Sequence, residues 1–175
     1  MSEIQYLCRE HFKQLKQTKM DTKLGIPQKE MKSNIKNLTT VLASEMVLYV
    51  KTRKFHWNVS GTSFMEMHKL FEDQYNELEL IIDEVAERIG KLGEKAIGTM
   101  KEFTENSILK ESTKYENKDA MVAELLNDYR KLISSIREFI KETEETDDFG
   151  TADFLTGIIQ KHEEQAWILR RYDNK

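Results

Sequence analysis

Pro27 is the only proline among the 175 residues of this chain. Strands and their turns draw heavily on proline and glycine, whereas the interior of a helix excludes proline. The long proline-free stretch after Pro27 is therefore predicted to be all-α, with glycines marking the helix ends. The composition fits this prediction, because 33% charged and 39% hydrophobic residues are typical of a globular domain with a packed core and much solvated surface.

Apolar residues recur at the period of an amphipathic helix in four long segments. The first helix is predicted to begin between Pro27 and Ser33 and to end near Val59, and Ser63 with Glu66 form a candidate capping box for the second. The other three segments cover about 63–90, 118–143 and 151–171, and one short helix near 100–103 lies in the connection before the third. A short turn, a long crossover and a second short turn predict a ferritin-like four-helix bundle over residues 31–175.

Residues 1–30 are interpreted as an N-terminal extension that is partly flexible. Lys13, Lys16, Lys19 and Lys23 make this end basic on a chain whose net charge is −4. We favour a frayed helix or a mobile extension, or a natural start at Met20. The functional alternative is a basic arm for DNA or a small amphipathic anchor, and so few charges predict weak, salt-sensitive binding to DNA.

Cysteine usage and hydropathy point to the cytosol, or to the nucleoid if DNA is bound. The single cysteine, Cys8, excludes an internal disulfide and fits a reducing compartment. The longest apolar run, 46–50, is far too short to span a membrane, and no charged-then-apolar leader opens the chain.

The second predicted helix carries a stripe of potential metal ligands. His68 and Glu72 are four residues apart, as are Asp83 and Glu87, and helical geometry puts all four side chains along one stripe. On spacing alone, a solvated charged face explains this pattern at least as well. His56 favours a site, because an antiparallel hairpin turning near 60–62 places it beside His68. Two imidazoles and a carboxylate suit Fe(II), Zn(II) or Mn(II).

One ion cannot reach the whole stripe, because His68 and Asp83 are roughly 22 Å apart along a straight helix. Either Asp83 and Glu87 are unrelated to the histidines, or the site is shared between two chains. An antiparallel two-fold pairing of this helix places His68 and Glu72 opposite Glu87 and Asp83 of a second copy. This arithmetic permits two identical shared sites per dimer without requiring them.

A di-iron centre inside the bundle is the rival metal site. It needs Glu-x-x-His motifs on two helices. None of the four histidines has an acidic residue three positions before it, so the sequence argues against this centre.

The region around the two histidines resembles the signature of the Dps family, the mini-ferritins. The resemblance spans about Ile35 to Tyr172. It rests on His56-Trp57-Asn58-Val59-x-Gly61, Phe64, His68-x-x-x-Glu72, Tyr75 and Asp83-x-x-Ala86-Glu87-Arg88-Ile89, and on Gly150-Thr-Ala-Asp153-Phe-Leu-Thr-Gly157 with Trp167-x-Leu-Arg170 in the last helix. It implies a dodecameric hollow shell that oxidises Fe(II), preferably with hydrogen peroxide, and stores ferric mineral.

Site residues follow from the resemblance. It implies His56, His68 and Glu72 as iron ligands from one chain and Asp83 and Glu87 from its two-fold partner. The family often has Asp where this chain has Glu72, a longer carboxylate that should still bind metal.

Other roles are also implied by the resemblance. Trp57 resembles an aromatic residue thought to quench oxidising by-products, although packing at the dimer seam explains it equally well. Asp147, Asp148 and Asp153 resemble an acidic pore that admits iron. A solvated, helix-capping role competes with the pore for Asp147 and Asp148.

Overall fold

The computed structural model describes residues 22–173, so the basic residues Lys13, Lys16 and Lys19 and the thiol of Cys8 lie outside the described part. The described chain is helical and forms the predicted bundle. Its elements are α1 (Gln28–Asn58), α2 (Phe64–Lys91), the short α3 (Met100–Asn106), α4 (Lys118–Glu144) and α5 (Phe149–Tyr172). No helix within these residues combines the length and apolar content needed to cross a bilayer.

The order of the helices follows from cross-helix contacts. Lys51 contacts Asp128 and Asn37 contacts Glu142, so α1 and α4 run in opposite directions. Because α2 is also antiparallel to α1, α2 and α4 point the same way. The connection between them, residues 92–117, must therefore return along the length of the bundle, and α3 packs across α1 on the way. This confirms the ferritin-like topology with one long crossover.

The apolar stripes of the four long helices meet in one core. The apolar period predicted most of these positions, and Leu48, Phe55, Ile81 and Met121 are additions to them. Large side chains that are fully buried in this core include Leu38, Leu42, Leu48, Phe55, Met67, Phe71, Leu78, Ile81, Ile89, Met121, Leu125 and Tyr129. Burying each such side chain contributes about 1.5–3 kcal/mol to the free energy of folding. Because the buried residues are spread along α1 and α2, both ends of this hairpin are fixed to the core.

The turn before α2 differs from the prediction. Ser63 has φ +65° and its side chain caps nothing, so the capping box with Glu66 is wrong. An N-cap hydroxyl reaches the helix amides from the extended region, and the tight turn through Gly61 (φ +90°) holds Ser63 in the left-handed region instead. A complete capping box is present at α3, between Thr99 and Glu102.

Candidate metal centre

The hairpin turn brings His56, in the last turn of α1, against His68, in the first turns of α2. Their imidazole rings are stacked, with centroids 3.7 Å apart and an interplanar angle of 20°. His56 is 8% exposed, so its ring is largely withdrawn from water. The juxtaposition expected from the hairpin is therefore present in a single chain.

Each histidine is fixed by the backbone of the other helix. Nδ1 of His56 lies 2.8 Å from the carbonyl oxygen of His68, and Nδ1 of His68 lies 2.8 Å from the carbonyl oxygen of His56. A carbonyl oxygen only accepts, so Nδ1 is the protonated donor in both rings. In the neutral tautomer, this leaves the Nε2 lone pair of each ring available to a metal ion.

The carbonyl of His56 is one of the acceptors that the end of a helix leaves without an intrahelical partner. The imidazole of His68 supplies the missing donor, so one hydrogen bond caps α1 and orients a potential ligand. Residues 59–63 make the turn short enough for this exchange.

Aromatic side chains enclose the histidine pair. Tyr75 meets the His56 ring edge-on at 5.2 Å, and Phe64 lies 5.1 Å from the His68 ring. The guanidinium of Arg53 stands over Tyr75 at 4.5 Å and over Trp57 at 5.6 Å. Trp57 itself is 65% exposed, so within one chain its ring lies on the outer surface beside the site.

Glu72 lies one turn beyond His68, and its carboxylate contacts Lys69 at 2.7 Å. The hydrogen bond and the charge of Lys69 lower the pKa of Glu72, with a smaller contribution from the charge of His56. Glu72 is therefore ionised, and it lies close enough to His56 for the charge of that residue to affect its pKa. Lys69 is largely exposed and also contacts Asp73, so it can release Glu72 at little cost.

Asp83 and Glu87 are exposed farther along α2, and Glu87 contacts Lys91. Neither approaches the histidines of the same chain. Within residues 22–173, no three His, Cys, Asp or Glu side chains come close enough to hold one metal ion.

The three acids of the expected pore are placed differently. Asp147 and Asp153 are exposed, whereas Asp148 is 3% exposed and is the N-cap of α5. Asp148 Oδ1 accepts from Arg88 and from the backbone N–H of Thr151, and Oδ2 accepts from Asn34 and from the Thr151 hydroxyl. The capping alternative thus holds for Asp148, in a buried rather than a solvated setting.

The bundle interior contains polar residues that sequence reasoning missed. Glu45 and His162 are almost completely buried and lie 2.6 Å apart. The Tyr129 ring packs 5.4 Å from that of His162, and burial raises the pKa of Tyr129 well above its usual value. The available signal was their position on the apolar stripes, seven residues from Leu38 for Glu45 and three from Ile159 for His162.

A buried lysine was also missed. Lys51 is 4% exposed, and its ammonium lies 2.5 Å from Asp128 and 2.9 Å from Glu124, which ties α1 to α4. Because Lys51 is buried and both of its neighbours are carboxylates, we interpret this cluster as a structural link between the two helices.

Comparisons with known proteins agree with the fold of the chain. The sequence model of the ferritin-like domain matches residues 35–175. A low temperature-induced protein of Nostoc is 39% identical over 151 residues, which cover 85% of this chain and 84% of that protein. DNA protection during starvation protein 2 of Bacillus anthracis is 36% identical over 144 residues, 82% of this chain and 99% of that protein. The crystal structure of a Dps protein from Bacillus brevis superposes with a TM-score of 0.81 at 33% identity, covering 84% of this chain and 99% of that one.

Proposed function

Because the chain belongs to the Dps family of ferritin-like proteins, we propose that it is a ferroxidase that stores iron. It would oxidise Fe(II) at the histidine pair, preferably with hydrogen peroxide, and deposit ferric mineral inside a hollow dodecameric shell. It would act in the cytosol, where it would remove Fe(II) and hydrogen peroxide, which together cause oxidative damage.

The observation that carries this proposal is the reciprocal bonding of His56 and His68. Two imidazoles, each with Nδ1 bonded to a backbone carbonyl, present their Nε2 atoms from one rigid hairpin, and Glu72, whose pKa is lowered by Lys69, lies one turn away. Neutral nitrogen and anionic oxygen donors suit Fe(II). Backbone carbonyls hold the opposite ring nitrogens, the arrangement that orients histidine ligands in metal sites.

We propose that Asp83 and Glu87 of a second copy complete each site. An antiparallel pairing of two α2 helices about a point between Glu77 and Leu78 sets these carboxylates opposite Glu72 and His68. Met65 and Leu80 support such a seam, because both are apolar side chains of α2 that are 69% and 63% exposed in the single chain. Two identical sites would then form only on association.

The chemistry follows from a site with few protein ligands. Open positions around iron admit peroxide or oxygen, and burial at a seam keeps the reaction ordered. Two Fe(II) ions each give one electron to one hydrogen peroxide, whose O–O bond breaks as two protons are taken up and two waters form. Paired electron delivery avoids free hydroxyl radical. Trp57, beside the site, would intercept oxidising by-products that escape.

Iron would reach the interior through an acidic pore. Asp147 and Asp153 remain the candidates to line it, because both are exposed near the start of α5. Asp148 would support this pore indirectly, by fixing the first turn of the helix that carries Asp153.

Mixed shells test whether the site is shared. Shells that contain only His68→Ala or only Asp83→Ala subunits should both oxidise Fe(II) slowly. Random co-assembly of the two variants should restore about a quarter of the sites, because a mixed dimer joins an intact histidine pair to an intact Asp83. The formation rate of the ferric product, followed by absorbance, measures the recovery.

The matched control mixes His56→Ala with His68→Ala subunits. Both histidines of a site come from one chain, so this mixture should restore nothing. Equal recovery in the two mixtures, or none in the first, would contradict a site shared in this way.

Glu72→Gln should weaken Zn(II) binding about tenfold or more and slow Fe(II) oxidation, because it removes the anionic ligand without changing size. Asp73→Asn is the control, since Asp73 is the other carboxylate paired with Lys69 and lies one position away. In calorimetric titrations, the Zn(II) affinity of Asp73→Asn should equal that of the wild type, and the affinity of Glu72→Asp should be close to it. Equal losses in Glu72→Gln and Asp73→Asn would assign the effect to surface charge.

DNA binding is the alternative function. Of the four lysines that would carry it, Lys13, Lys16 and Lys19 lie outside the described residues and only Lys23 lies within them. No observation within residues 22–173 favours DNA binding. The proposal therefore rests on the histidine pair alone.

A further inference from the structure

A groove of about 560 Å³ lies between α4 and α5, on the side of the bundle opposite the α1–α2 pair. Three arginines line it, Arg130 and Arg137 from α4 and Arg170 from α5, against one carboxylate, Glu163. An excess of positive charge in one groove stands out on a chain whose net charge is −4. Neither the bundle core nor the histidine pair requires it.

The charges divide the groove into two parts. Arg137 forms an ion pair with Glu163, so that part is neutralised. Arg130 and Arg170 line the same groove, and within residues 22–173 neither forms a hydrogen bond or an ion pair. Two guanidinium groups thus remain without an anionic partner.

The chemistry of these groups points to an oxyanion. A guanidinium is always charged, and its planar fork matches two oxygens of a phosphate at once. Ser134 offers a hydroxyl donor in the same groove, and Ala166 and Ile133 line it with apolar surface.

Size and charge distinguish a small anion from an extended one. A long polyanion laid along the groove would meet the carboxylate of Glu163 and the acidic surface of the chain. A single tetrahedral dianion requires only Arg130, Arg170 and a hydroxyl donor. We propose that the α4–α5 groove is a binding site for inorganic phosphate or a similar tetrahedral oxyanion.

Calorimetric titration of the assembled, metal-free protein with inorganic phosphate tests this site. Wild-type protein should show saturable binding near one phosphate per chain. Arg130→Gln/Arg170→Gln should weaken it by at least about tenfold, because both charge-assisted contacts are lost. Removing metal first keeps the result independent of the proposed iron chemistry.

The matched control is Lys131→Gln/Lys161→Gln, which makes the same charge change on the same two helices outside the groove. Its phosphate affinity should stay within about twofold of the wild type, because it keeps both guanidiniums. Glu163→Gln should tighten binding, since it removes the carboxylate of the groove and releases Arg137. No saturable binding, or equal losses in the arginine and lysine variants, would overturn the site.

A second titration separates the two sources of phosphate groups. A short single-stranded oligonucleotide should bind more weakly than inorganic phosphate per phosphate group and should not displace it. Binding of the oligonucleotide that depends on Arg130 and Arg170, without binding of inorganic phosphate, would reassign the groove to nucleic acid and overturn the proposal.

Discussion

Replacing both His56 and His68 by alanine should reduce the initial rate of Fe(II) oxidation by about 100-fold or more. These are the only two imidazoles of the α1–α2 hairpin, and two 2.8 Å hydrogen bonds to backbone carbonyls fix the orientation of their rings. Loss of either ring removes one ligand of the shared ion and the stacking contact with the other ring. The effects of the two single variants should therefore be non-additive.

The measurement is the absorbance of the ferric product after Fe(II) and hydrogen peroxide are mixed with assembled protein. His11→Ala, which removes a histidine outside the proposed site, should oxidise iron at the wild-type rate. Circular dichroism and the mass of the assembly show whether the double variant still folds. An unchanged rate in the folded double variant would remove His56 and His68 from the site.

Asp148→Ala should lower the free energy of unfolding by about 3–4 kcal/mol, because it removes an N-cap worth about 1 kcal/mol and the charged hydrogen bonds to Arg88 and Asn34, worth about 2–3 kcal/mol. The side chain is 3% exposed, and both of its oxygens accept two hydrogen bonds. Alanine would leave the Asn34 amide and the Arg88 guanidinium with fewer acceptors.

Thermal unfolding at one fixed protein concentration measures the loss, because association also contributes to the apparent stability. For a chain of this length, the melting temperature should fall by about 6–16 °C. Asp147→Asn is the matched control, since Asp147 is exposed and asparagine tolerates its φ of +57°. A larger fall of the melting temperature in Asp147→Asn than in Asp148→Ala would contradict the assignment of Asp148 as the buried, structurally important acid.

Local sequence signals predicted the fold well. The absence of proline after Pro27, the apolar period and the connection lengths together gave four helices whose ends agree with the structure within a few residues. The hairpin register also placed His56 beside His68. These features depend on residues close in sequence, where helical geometry leaves few alternatives.

Burial of polar residues could not be predicted in the same way. Asp147 and Asp148 are identical neighbours in sequence, and only the left-handed backbone of Asp147 turns Asp148 inward toward Arg88. Glu45 and His162 are 117 positions apart and lie on helices that do not pack side by side, so their contact depends on how α1 and α5 face each other across the core. Ser63 fails as a cap because the turn, rather than its own preference, sets its conformation.

The reciprocal hydrogen bonds of His56 and His68 make the proposed site depend on the number of residues between the start of α2 and His68. Each added helical residue rotates the following side chains by about 100°. One residue inserted into 59–63 could be absorbed by the loop, whereas one inserted between Phe64 and His68 would swing His68 away from α1. Relatives with such an insertion would keep the bundle and lose the pair. The number of residues between the start of α2 and its first histidine therefore separates chains of this fold that can form the pair from those that cannot.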